Sequence, residues 1–241
     1  MEIVDDDFDP NADFEGDLIT VVGSAFHQPI ADLIGRLAER NPNPSESYMA
    51  GHYENGYCAS IVMLLVLAFE SYVTRVSYRR FREHGETRDP KKKISTVDYL
   101  CSLDSGFPYV DALTEAYIIR DSLAHAHLWQ VDYVIRRDRT DVTKRELFQG
   151  YGDIKMRARV DLNTGKTKYL GLNVLPTSIG VPEAATVFRV IAESLRHLAN
   201  AGLVEQAAVG GHVGYGRKQV QFWSLHAVLA EMANPQNGSP Q

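Results

Sequence analysis

The chain has 241 residues, 44% hydrophobic and 23% charged, which excludes wholesale disorder and a disulfide scaffold and suits one sizeable domain with a modest appendage. The formal net charge of −6 is unevenly spread: the first 17 positions hold eight acidic residues and no Lys or Arg, so the remainder carries a net +2 and a polyanion partner is not excluded. Two cysteines, Cys58 and Cys101, sit in unlike apolar settings, which argues for a reducing compartment and against a thiolate zinc cluster.

Residues 1–17 read as a flexible acidic lead with neither a basic start nor a long apolar run, so a cytoplasmic, non-secreted chain is expected. "AFHQPIADLIGRLAER" places Ile30, Leu33, Ile34 and Leu37 at helical spacing and predicts a short first helix closed by "NPNPSES". A long helix is predicted from about Tyr57 to Phe81, apolar nearly all round at its front and basic at its rear. Its unbroken apolar run, Ile61 to Phe69, is nine residues, against the roughly 20 that cross a bilayer, so no membrane association is expected. "HGETRDPKKKIST" reads as a loop. "STVDYLCSLDSG" then predicts a short helix opened by Ser95 or Thr96.

Pro108 heads a second long helix, "YVDALTEAYIIRDSLAHAHLW", with Val110, Leu113, Ala116, Tyr117, Leu123 and Ala124 as its ridge. From about residue 130 to 176 Val, Ile and Tyr alternate loosely around the turn "LNTGK", so a small β-like insertion is expected. "VPEAATVFRVIAESLRHLANAG" restores the helical period. "GGHVGYGRK" lacks the spacing of a phosphate loop and reads as a flexible hinge before a last amphipathic piece and a frayed tail. The division that follows is a lead at 1–17, a mainly α helical-bundle domain at 18–205 and a C-terminal helical extension at 206–241.

The second long helix carries the densest chemistry. Arg120 can grip a phosphate with two donors at once, and a histidine near neutral pH can take or give a proton. On an ideal helix His127 returns to within about 20° of Arg120, whereas His125 lies about 140° round; a fraying helix end would close that gap, so both pairings stay open. A metal at His125 and His127 would need at least one further protein ligand, which no HExxH or cysteine pair supplies, so no metal or other cofactor is expected. Glu70, between Phe69 and Tyr72, is a candidate buried partner for a helix arginine, including Arg120 where the helices cross. The basic run Arg75, Arg79, Arg82 and the later pair Arg136, Arg137 are candidate RNA contacts, with Tyr72 and Tyr78 available for stacking.

"RDSLAH", Arg120 to His125, resembles the motif of the HEPN superfamily, an arginine and a histidine separated by four residues. The likeness extends over residues 50–201, with "FESY" at Phe69 to Tyr72 on the earlier long helix. The resemblance implies an all-α, four- or five-helix bundle and a metal-independent endoribonuclease of toxin or antiviral-defence type, working as a homodimer with two motif faces in one cleft. It assigns Arg120 to the scissile phosphate, Asp121 to orienting it or shaping the pocket, and His125 to acid–base work, with His127 as the competing or supporting histidine because the family also tolerates a longer spacing; Glu70 and Tyr72 are candidate supporting residues. It also implies an antitoxin or regulatory partner. Asparagine is the commoner second residue of the motif, where this chain has Asp121. Some HEPN domains are inactive, so a noncatalytic RNA-binding or assembly module is the alternative.

Overall fold

The computed structural model describes residues 22–40, 49–85, 94–125, 127–137, 140–148 and 154–234. The acidic lead, the NPNPSES breaker, Arg88 and Lys91 to Lys93 of the basic run, Arg139 and the tail from Pro235 lie outside them.

The architecture is mainly helical, with small antiparallel hairpins. In chain order the helices are α1 (His27–Glu39), α2 (His52–His84), α3 (Thr96–Leu103) and α4 (Val110–Ala124), then α5 (Ile154–Arg159), α6 (Val181–Asn200), α7 (Ala207–Gly210) and α8 (Leu225–Ala233). Among the described residues three two-stranded ribbons interrupt them: β1 (Trp129–Ile135) with β2 (Thr140–Leu147), β3 (Val160–Asp161) with β4 (Lys166–Thr167), and β5 (His212–Tyr215) with β6 (Lys218–Gln221). α2 is the axis, packed on by α1, α4 and α6, while α8 closes the far side of α6. Ile30, Ile34, Ile61, Leu65, Phe69, Leu113, Ile119, Phe188, Leu195, Phe222 and Leu229 are buried at the shared core.

α2 begins five residues ahead of the predicted start and runs through Gly56. Tertiary anchoring outweighs the glycine's low helix propensity. Asn55 Nδ2 donates to the carbonyls of Pro176 and Ile179, and Glu54 Oε1 accepts the Val181 N–H at 3.0 Å. The first turn of α2 is thereby tied to the start of α6. At the other end Gly85, φ 66°, adopts the left-handed conformation that closes the helix. Over its whole length α2 is long and apolar enough to cross a bilayer, which the nine-residue run alone does not show. Here Cys58, Ile61, Val62, Leu65, Val66 and Phe69 spend that apolarity inside the core.

α4 stops at Ala124, well short of the predicted end at Trp129. The His125 N–H still donates to the Asp121 carbonyl at 3.0 Å, while the His127 N–H reaches the Ser122 carbonyl, five residues back, and the chain then extends into β1. The run "WQVDYVI" supplies the branched and aromatic residues that favour a strand. The predicted turn "LNTGK" is present, with Gly165 at φ 66° and its N–H bonded to the Asp161 carbonyl at 2.8 Å. A flexible hinge at "GGHVGYGRK" is not what forms: β5 and β6 make a hairpin whose two-residue turn opens at Gly216, φ 60°. Gln28 of α1 fixes that hairpin by giving to and accepting from Gly214, both at 2.9 Å.

Candidate functional site

The candidate site lies where the last turns of α4 cross the middle of α2. Arg120 Nη2 donates to Glu70 Oε1 at 2.7 Å, and Arg120 Nη1 lies 3.2 Å from Asp121 Oδ1. The helix crossing therefore supplies the arginine partner expected of Glu70. The guanidinium sits above the Tyr117 ring, 5.2 Å from its centroid, and its side chain retains 23% of its exposure against 30% for Glu70 and 39% for Asp121. Arg120 Nε is buried and has no acceptor among the described residues.

Burial is the largest influence on Glu70 and raises its carboxyl above the usual range. The Arg120 charge pulls it down, and Asp121 pushes it up again. Burial likewise raises the Tyr117 phenol. Two carboxylates around one guanidinium give the cluster a net −1 before His125 is counted. A phosphate approaching Arg120 must therefore compete with Asp121, the more exposed of the two partners.

The two histidines part company. Because α4 ends at Ala124, the ideal-helix rotation that placed His127 beside Arg120 does not reach it. His127 is turned inward and buried, whereas His125 caps the helix in solvent. Their rings lie nearly parallel with centroids 6.2 Å apart. His125 is the imidazole an external substrate reaches. Among the described residues, no three His, Cys, Asp or Glu side chains form a group placed to hold a metal ion.

Other candidates fall elsewhere. Tyr72 stands about 200° round α2 from Glu70. It is buried, with its hydroxyl 3.2 Å from His27 Nε2, so it neither joins Arg120 nor offers a face for base stacking. Arg75 and Arg79 occupy that same distant face and pair with Glu205, while Arg82 Nη1 lies 3.4 Å from the Tyr78 hydroxyl. Arg136 and Arg137 are exposed beyond the end of β1, roughly 20 Å along an extended strand from Trp129, with Arg136 paired to Asp141. Sequence reasoning passed over Glu115, the buried carboxylate one turn before the motif. It accepts the N–H groups of Tyr169 and Leu170 at 2.8 and 2.7 Å. Those donors arrive from a loop more than fifty residues downstream, and no local pattern announces such a partner.

No family model, curated protein or solved structure matches the chain. The chemistry of the site rests on its own residues.

Proposed function

We propose that the chain is a metal-independent endoribonuclease with a HEPN-like site, in which Arg120 binds the scissile phosphate and His125 moves the proton. The observation that carries this reading is the arrangement at the end of α4. One guanidinium is anchored by Glu70 through Nη2, its Nη1 edge meets the more exposed Asp121, and an exposed imidazole follows five residues later at the helix end. In the reaction the ribose 2′-oxygen attacks phosphorus while His125 takes its proton. The bond to the 5′-oxygen breaks, leaving a 2′,3′-cyclic phosphate and a 5′-hydroxyl. The proton for the departing oxygen comes from water or from the same histidine of a second copy, since a homodimer joins two motif faces. Arg120 stabilises the charge that builds on the phosphoryl oxygens. Glu70 is a positioning residue. An antitoxin-like protein covering this cleft is the regulatory partner the reading calls for, and a toxin or defence role follows from unguarded RNA cleavage.

The pairing of both Arg120 terminal nitrogens with carboxylates favours a second reading, a noncatalytic RNA-binding or assembly module in which Arg120 is a structural ion pair. One experiment separates them. Total cellular RNA is incubated with wild type, His125→Asn, Arg120→Lys and Asp121→Asn proteins in the presence of chelator, each checked for native circular dichroism. The enzyme reading expects cyclic-phosphate ends from wild type, their loss by at least about 100-fold in the first two variants, and RNA affinity raised severalfold in the third, where a competing charge is gone. A wild-type protein inactive on several RNA pools moves the assignment to the module.

A further inference from the structure

The face of α2 turned away from Glu70 holds a second cluster. Counting about 100° per residue, Arg75, Arg79 and Tyr72 lie about 140°, 180° and 200° round from Glu70, so nothing that binds Arg120 touches them from the same side. Opposite them is the short loop that follows α6. Gly202, φ 70°, turns the chain there, and Glu205 projects back to α2.

Arg75 Nη2 donates to Glu205 Oε1 at 2.8 Å, and Arg79 Nη1 reaches the same oxygen at 3.4 Å. Two guanidiniums thus converge on one oxygen of one carboxylate, an arrangement that an anion with two or three free oxygens satisfies more fully. Arg75 Nε is buried and lacks an acceptor among the described residues. Arg79 is shared with Glu83 at 3.2 Å.

A cleft of about 120 Å³ lies between these groups, with Val76, Val204 and Ala208 forming an apolar floor and Tyr72 and Ser24 at its sides. Val76, Arg79 and Leu203 continue into an adjoining cleft of about 220 Å³ that Arg80 and Glu83 also line. A cavity of roughly 150 Å³ holds one benzene ring, which sets the scale of the occupant. A bare surface ion pair offers no such floor.

We infer that this cleft binds a small organic anion, a carboxylate or phosphate head on Arg75 and Arg79 with a single ring or short alkyl body on Val76, Val204 and Ala208. Glu205 is its internal stand-in. Binding displaces the Glu205 carboxylate from the two arginines and frees the 201–206 loop from α2. The site is independent of the RNA chemistry at Arg120.

The test is calorimetric titration of the full chain with phenyl phosphate, with benzoate and with neutral benzyl alcohol. It compares wild type with Arg75→Gln and Glu205→Gln, both changes at half-exposed side chains. Expected are saturable binding of at least one anion, weakening by tenfold or more in Arg75→Gln, and tightening severalfold in Glu205→Gln. The methyl resonances of Val76 and Val204 should shift on addition. The preferred anion identifies the head group as phosphate or carboxylate. Absence of saturable binding by both anions, equal binding of benzyl alcohol, or indifference to both substitutions overturns the site.

Discussion

His27 shows how far one residue's chemistry depends on what surrounds it. It stacks on Phe222 with centroids 3.9 Å apart, meets Trp223 edge-on at 5.4 Å and shares a hydrogen bond with the Tyr72 hydroxyl. Burial pushes its pKa down from 6.5 to about 4. The unfolded chain therefore takes up a proton as pH falls through 6.5, while the folded one resists until about 4. Stability from this group is complete above pH 6.5 and is lost between those values, by about 3 kcal/mol. Glu70, whose carboxyl is raised, acts with the opposite sign but is common to wild type and a His27 variant, so it cancels in their difference. Urea unfolding of wild type and His27→Phe at pH 7 and pH 4.5 should show the variant's deficit shrinking or reversing at the lower pH. An unchanged deficit would mean that His27 is not held neutral. No local pattern singles this histidine out, since Phe222 and Trp223 lie nearly two hundred positions away. The Glu70–Arg120 pair was legible because both residues fall on apolar helices that must cross, whereas His127 was misplaced by assuming a helix five residues longer than α4.

At the scale of elements, helices with a clear apolar stripe were readable, and their boundaries were set by contacts the sequence does not display. α3 begins where its cap predicts, Ser95 Oγ accepting the Asp98 N–H at 3.1 Å. α2 starts early because Glu54 and Asn55 are held by the segment before α6. The glycines of "GGHVGYGRK" suggested a hinge, yet Val213 is buried and Gln28 pins the strand, so glycine there serves a tight turn. The insertion is held to the bundle by Glu115, whose two oxygens each accept a backbone N–H from the segment after β4. Removing that carboxylate orphans two donors at about 1–3 kcal/mol each. Glu115→Ala should therefore lower unfolding free energy by roughly 3 kcal/mol, and Glu115→Gln, which keeps one acceptor oxygen, by about half as much. Equal losses in the two variants, read from denaturant midpoints, would show that packing rather than these hydrogen bonds holds the loop.

Across the whole molecule the core is closed by residues that arrive last. Phe222, Trp223, Leu225 and Leu229 are buried against α6 and α1, and Trp223 Nε1 donates to the Ala208 carbonyl at 2.8 Å. Sequence reasoning set residues 206–241 apart as an extension because they open with a glycine-rich joint, and periodicity cannot tell an added helix from one that completes an existing core. The energetics distinguish the two. Losing a buried Phe or Trp side chain costs about 3–5 kcal/mol, against a total stability near 5–15 kcal/mol for an ordinary domain. Deleting residues 211–241 removes both aromatic rings and two leucines at once and also strips His27 of its stacking partners. The truncated chain should lose cooperative unfolding and near-ultraviolet dichroism while keeping much of its helical signal, because α2 and α6 retain their own apolar faces. Trp223→Ala tests the same claim within an intact chain and should cost at least about 3 kcal/mol. A truncation that unfolds at the wild-type midpoint with wild-type cooperativity would make the segment an appendage after all. In that case the floor beneath the Arg75–Glu205 cleft, which includes Ala208 just upstream, must be supported by α2 and α6 alone.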